Sequence, residues 1–307
     1  MAAGTTSLPE EIGGSRNWDY RFCWLRDATF TLYALLVAEA EAWRGWLLRA
    51  IAGSPKDLQI MYGVAGERRL VEYEVPWLPG YEKSAPVRIG NAASGQVQLD
   101  VYGEVLDALY VARKAGLHGN AARWALECAL IEHLETIWDQ PDDGIWEVRG
   151  GRKHFTHSKV MAWVAFDRAV RSIEEFGLEG PVDPWRAIRE TIHKQVCDQG
   201  FDAKQNSFVQ PYGVTALDAS LLLIPMVGFL PSSDPRVRGT LEAIECRRLC
   251  VEVSHQRGPR RASSRGRRIP RLQLLACGQL HPAGSRKRRA RIVRPTAVAA
   301  QRCWTAC

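Results

Sequence analysis

The chain has no stretch that could cross a bilayer. Its longest apolar run, Leu221 to Leu230, is broken by Pro225 and Gly228 and falls well short of the roughly 20 residues a spanning helix needs. Its N-terminus, Met1 to Glu11, has neither a basic segment nor an apolar one. No signal peptide is therefore expected, which makes the cytoplasm the default location and reduced thiols the default state of the cysteines. No membrane partner is expected. The eight cysteines fall in no metal-ligand spacing, so no metal is expected either. Gly13-Gly14 and Gly150-Gly151 follow no strand-like run; they read as turns rather than phosphate cradles, and no cofactor is expected. Convincing two-residue alternation of apolar and polar positions is also missing, which argues against a β protein.

Acidic residues are missing from one end only. Residues 246–307 hold 15 arginines, one lysine and a single acid, Glu252, a net of +15. Residues 1–245 carry a net of −8, so the overall +7 hides an acidic body and a basic tail. The tail contains no Asp, Asn, Phe, Tyr or Met, yet it holds five of the eight cysteines, Cys246, Cys250, Cys277, Cys303 and Cys307. Runs such as Arg286-Lys287-Arg288-Arg289 fit no amphipathic helix. An arginine-rich arm for nucleic acid is one reading. A disordered tail produced by a shifted reading frame accounts better for the cysteines, and nucleic acid is not the expected partner.

What is present is helical. Asp27 to Trp46, Gln98 to Ala115, Asn120 to Trp138 and Thr156 to Phe176 all carry apolar residues at helical spacing, the last closed by Gly177. Asp183-Pro184 and Asp234-Pro235 each pair a capping aspartate with a proline suited to a first helical turn. Thr215 to Val227 completes a set of six or seven helices. Residues 47–97 form a long connection that includes Val75-Pro-Trp-Leu-Pro-Gly-Tyr81, and connections of that length within a compact domain are usually functional. The expected fold is all-α, a toroid or bundle. The expected organisation is a linker over 1–16, a helical domain over 17–245 and a disordered basic tail over 246–307.

Ten residues carry the most chemistry. Trp18-Asp-Tyr-Arg-Phe-Cys-Trp-Leu-Arg-Asp27 packs four aromatics, two arginines and two aspartates together. Buried charge is costly unless paired, so an ordinary core helix does not need this mixture. A sugar site does: rings stack on the apolar face of a pyranose, and Arg/Asp pairs bond its hydroxyls. The bland alternative is an amphipathic helix start with an internal Arg–Asp pair. Downstream, Gly144-Ile145-Trp146-Glu147 again sets a carboxylate beside an indole. Glycoside hydrolysis commonly uses two carboxyl groups, and the acid of the pair keeps its proton best beside apolar surface. His154-Phe-Thr-His157 could supply two metal ligands, but a polar pair at a helix start is the simpler reading.

The stretch Asn17 to Asp27 resembles a signature of glycoside hydrolase family 15. So do Ile60-Met-Tyr-Gly63, Glu74 to Tyr81, Arg88 to Ala93, Gln98-Leu-Asp-Val-Tyr-Gly-Glu104 and Asp143 to Arg149, in the family's order and spacing. The likeness runs from about Thr5 to Glu245. It implies an (α/α)6 toroid, here incomplete, that hydrolyses α-glucosidic bonds with inversion. It implies that Glu147 is the general acid and that Arg26 and Asp27 hold the glucose of the first subsite. Trp24, Asp100, Trp146, Trp77 and Tyr81 are implied as pocket residues, with Arg88 and Asn91 nearby in undefined roles. The family's general base is a second glutamate in the last helical pair, and nothing in this chain resembles that motif. The resemblance therefore implies glucoamylase-like hydrolysis of an α-glucoside oligosaccharide or disaccharide, with a trehalase as the alternative. It also implies that the chain as written is inactive. A nucleic-acid binder acting through the tail is the competing reading from another class.

Overall fold

A computed structural model describes residues 8–29, 40–117, 119–147 and 150–255, with side chains up to residue 246. Residues 256–307 of the expected tail and residues 30–39 of the expected 27–46 helix lie outside the described residues; residues 27–29 and 40–46 are helical as expected, and residues 246–255, expected to be disordered, are helical. The chain divides into two units, Met1–Glu245 and Cys246–Cys307.

Six helices carry the described structure: α1 Ala40–Ala50, α2 Asp100–Lys114, α3 Ala121–Ile137, α4 Thr156–Phe176, α5 Val182–Gln199 and α6 Pro235–His255. A further helical turn occupies 25–29. Burial sorts them. Every residue of α2 from Asp100 to Tyr110 is buried, and so is every residue of α4 from Thr156 to Val170. α3 buries only Glu127, Leu130, Ile131 and Leu134, and α5 only Trp185, Ile192 and Val196. Helices buried all round are inner elements, while those with one stripe cover them. α2–α3 and α4–α5 are therefore inner–outer hairpins, as a toroid of helical pairs requires.

The two inner helices run parallel. Gly103 faces Met161, the Arg168 guanidinium bonds Asp107 at 2.5 Å, the Arg113 guanidinium bonds Ser172 at 2.8 Å and the Tyr110 hydroxyl bonds Glu175. From Gly103–Met161 through Asp107–Arg168 to Arg113–Ser172 the pairs advance together along both helices. Contact is close because residue 103 has no side chain: a Cβ there would lie 2.2 Å from the Met161 carbonyl oxygen.

Three differences from the sequence-based expectation stand out. Among the described residues there are three antiparallel pairs of two-residue strands: β1 Cys23–Trp24 with β2 Met61–Tyr62, β3 Tyr73–Glu74 with β4 Arg88–Ile89, and β5 Phe201–Asp202 with β6 Ser207–Phe208. Two residues are too few for alternation to be legible. The expected helix over 215–227 shrinks to a 3-10 turn, Ala219–Leu223. Pro225 has no N–H to continue the helix, and the Ile224 amide closes back on Leu221. The helix expected to be capped by Asp183 and to begin at Pro184 begins two residues earlier, at Val182, with Pro181 at the cap position and Asp183 inside the first turn. Pro184 still falls in the first turn, where its N–H would have no helical partner anyway. Asp234 does cap α6, accepting the Arg236 amide at 2.9 Å.

Candidate active site

Only the last three residues of the ten-residue aromatic stretch, Leu25 to Asp27, are the helix start that its bland reading supposes. Its first half is a strap. Asp19 accepts the Arg21 guanidinium at 2.7 Å and the Gly90 amide at 3.0 Å, Trp18 donates to Glu10 at 2.8 Å, and the Arg88 guanidinium lies 4.7 Å from the Trp18 ring centre. Arg88 also bonds the carbonyls of Ser15 and Asn17, and the Asn91 side chain bonds the Asp19 carbonyl. These contacts make Arg88 and Asn91 fasteners for the strap. The second half delivers chemistry: Trp24 sits on β1, and Arg26 and Asp27 open the helical turn that follows.

The downstream acid comes to meet it. Glu147 ends a turn in which Gly144 takes φ +71°, and a Cβ on that glycine would press to 2.7 Å from the Phe155 ring. Only glycine suits both demands. Glu147 itself is left-handed at φ +54°, a conformation uncommon for a residue with a side chain. Its carboxylate accepts the Trp24 indole N–H at 2.5 Å, and Arg26 donates to the Ile145 carbonyl at 3.1 Å. Trp146 turns the other way and donates to Asp218 at 2.5 Å. Two segments more than 100 positions apart are thus bonded at an indole and at a guanidinium.

Burial raises the Glu147 carboxyl above its ordinary value; Arg26 and the Trp24 N–H pull it down, Asp27 and Asp100 push it up. The direction is the one a general acid requires. Arg26 is nearly buried, which disfavours its charge, but Asp27, Asp100, Glu147 and Glu104 more than offset that cost. Asp27 pairs with it at 3.8 Å and is the exposed member of the pair.

Asp100, the first residue of α2, is 2% exposed, and its Oδ1 has no partner among the described residues. Three further residues join the cluster that sequence reasoning did not assign. Glu104, one turn along α2, is also 2% exposed, with Oε1 unpartnered among the described residues. Burial and the Asp100 charge hold its carboxyl well above the ordinary value. His157, in the first turn of α4, is buried with both ring nitrogens unpartnered among the described residues. Burial lowers its pKa against the pull of Asp100 and Asp218. Asp218 accepts from Trp146, Gln210 and the Ser220 amide. The signal for Glu104 was its i, i+4 spacing from Asp100. His157 was passed over as a helix-start residue, and it parts company with His154, which stacks on Tyr212. Among the described residues no group of three or more His, Cys, Asp and Glu is arranged to hold a metal.

Trp77 and Tyr81 do not join this cluster. They stand 76% and 54% exposed on the loop after β3, and no hydrogen bond or ring contact among the described residues links them to Glu147. A cavity of about 460 Å³ lies nearby, lined in part by Gln59, Gln98, Leu99, Tyr102, His133 and Arg152, but it includes none of Trp24, Arg26, Asp27, Glu147 or His157. Buried, mutually perturbed charge marks the site here better than concavity does. Among the described residues no helix is long and apolar enough to cross a membrane.

Several known proteins are similar to this chain. A trehalase of Mycobacterium tuberculosis is 45% identical over 251 residues, covering 80% of this chain and 37% of that protein. A trehalase of Thermoplasma volcanium is 40% identical over 253 residues, covering 80% and 40%. The chain thus spans well under half the length of these curated relatives. A solved glycosidase in complex with glucose superposes with a TM-score of 0.56 at 19% identity, covering 79% of this chain and 64% of that one. A glucoamylase from Saccharomycopsis fibuligera superposes at 0.54 with 14% identity, covering 78% and 55%. At such identities these two structures speak for the fold, the toroid of helical pairs. Residues 1–263 match the family described as Glycosyl hydrolases family 15, and the chain belongs to that family.

Proposed function

We propose that this chain carries the sugar-gripping and proton-donating part of an α-glucoside hydrolase whose substrate is the disaccharide trehalose. The single observation that supports it best is the buried Glu147 carboxyl, raised above its ordinary value and held by Trp24 within reach of the Arg26 charge. Glu147 donates the proton to the departing glycosidic oxygen. Arg26 and Asp27 bind hydroxyls of the reacting ring, and Trp24 and Trp146 frame it. Trehalose is favoured over starch-like chains, the glucoamylase-like reading, because the curated relatives at 35–46% identity are named trehalases, whereas the glucoamylase likeness is one of fold.

Inversion needs a second carboxylate, set roughly 6.5–9.5 Å from the first, to activate water. Nothing in this chain resembles the family's base motif; of the carboxylates around Glu147, Asp218 is held by three donors, Asp27 pairs with Arg26, and Asp100 and Glu104 are buried. The 307-residue chain is therefore expected to bind sugar without turning it over. Calorimetric titration with trehalose and with maltose tests the substrate. Tighter binding of trehalose, weakened by Arg26→Ala, is expected. Preference for maltose would favour the glucoamylase-like reading, and glucose release by this chain would mean that one of these carboxylates serves as base.

A further inference from the structure

The loop that delivers Glu147 is fastened by a buried carboxylate outside the cluster just described. Asp142 is fully buried. Its backbone pairs with Lys153 in both directions, at 3.0 and 2.9 Å. Its Oδ2 accepts the Leu99 amide at 2.9 Å. Leu99 is the residue just before Asp100, at the N-cap of α2, and no side chain of its own caps that helix. Asp142 thus does from a distant segment what a capping aspartate ordinarily does locally, its oxygen accepting an N–H at the start of the helix.

Neighbouring contacts extend the seam. Asp143 accepts the Val97 amide at 2.8 Å through its side chain and donates its own amide to the Val97 carbonyl at 2.9 Å. From α4, the fully buried Lys159 donates to the carbonyls of Trp138 and Gln140 at 2.6 and 2.5 Å. Three elements meet here: the approach to α2 that ends at Asp100, the loop that ends at Glu147, and α4, which carries His157 two residues before Lys159.

We propose that Asp142 is a positioning residue that sets the acid loop against the head of α2, and so fixes Glu147 relative to Asp100 and Arg26. It touches no substrate and acts through Leu99 and the five-residue run to Glu147. Its relevance to hydrolysis rests on the function proposed above, but its effect on Glu147 can be read without any sugar.

The test is the titration of Glu147 in the whole chain, followed by carboxyl carbon-13 NMR with the Glu147→Gln spectrum as the assignment. The charged or titratable groups that act on Glu147 include Arg26, Asp27, Asp100 and Tyr20, and Asp142→Ala removes none of them. With the seam opened, water reaches the loop, and the Glu147 titration moves down toward the ordinary carboxylate range, because burial is the largest cause of its elevation. Asp142→Asn keeps an oxygen for the Leu99 amide and restores the parent titration. Leu99→Pro deletes the donor, at a φ of −74° that proline accepts, and also shortens a buried core side chain, so it is paired with Leu99→Ala, which makes a comparable loss of packing but keeps the N–H; Leu99→Pro should mimic Asp142→Ala and Leu99→Ala should not. Affinity for the cationic iminosugar 1-deoxynojirimycin should fall roughly ten-fold or more with either lesion, since misplacement of about 1 Å is costly at such sites. A folded Asp142→Ala or Leu99→Pro protein with an unmoved Glu147 titration would overturn the proposal. A parent that binds no iminosugar would instead count against the proposed function, leaving the titration to judge Asp142.

Discussion

Gly103→Ala tests the packing that brings the site together. The new Cβ would lie 2.2 Å from the Met161 carbonyl oxygen, 2.8 Å from its carbonyl carbon and 3.0 Å from its Cα. All three are backbone atoms of a buried helix and cannot swing aside, so α2 and α4 must separate by about 1 Å to reach ordinary contact distances of roughly 3.5 Å. Overpacking of this kind costs about 1–3 kcal/mol. Alanine returns roughly 0.5–1 kcal/mol by being a better helix former than glycine. The steric term wins, leaving a net loss of about 1–2 kcal/mol, or several degrees in Tm for a domain of this size. Urea unfolding followed by tryptophan fluorescence reads it directly. The separation also moves Asp100 and Glu104 away from His157, so sugar affinity should fall even where the protein is folded. A Gly103→Ala protein as stable as the parent would refute the close parallel contact of the inner helices.

Other perturbations follow from the same contacts. Trp24→Phe removes the N–H that favours the ionised Glu147, so the Glu147 titration should move further up; carboxyl NMR checks the direction. Burial pushes Asp142 up to about 7 from an ordinary 3.8, so the folded state holds this proton more tightly than the unfolded one. Stability from this group is therefore full below about pH 4 and is lost as pH rises toward 7, by up to roughly 4 kcal/mol at about 1.4 kcal/mol per unit. Asp142→Asn should flatten that decline in urea melts at pH 5 and pH 7.5. Trp77→Ala, at a ring 76% exposed, should change stability by no more than about 0.5 kcal/mol and leave trehalose binding as in the parent.

Much of this was legible because it is periodic or covalent. The end of α4 at Gly177 and the start of α6 after Asp234 are written in local residues that terminate or cap a helix. The stretch holding Trp24 and Arg26, and Glu147 beside Trp146, stood out by mixing aromatics with charge, and the roles proposed for them come from the family resemblance. The rest depends on partners far along the chain. Nothing local distinguishes Asp142 from the turn residues around it until Leu99, 43 positions away, donates to it. Glu104 and His157 look like ordinary helical residues until the Gly103–Met161 contact brings their helices together. Trp18 and Arg88 share the aromatic–cationic character of the site but spend it on each other.

The central claim is that Glu147 and Arg26, joined through Trp24 and Ile145, form the part of the site that recognises a glucosyl cation. Isothermal titration of the 307-residue chain with 1-deoxynojirimycin tests it most directly, since that ligand carries the positive charge of the transition state. The account predicts measurable binding by the parent, weakened about ten-fold or more by Glu147→Gln, where a charge-assisted contact is lost, and weakened again by Arg26→Ala. Equal affinity in parent and Glu147→Gln, with both folded, would contradict it.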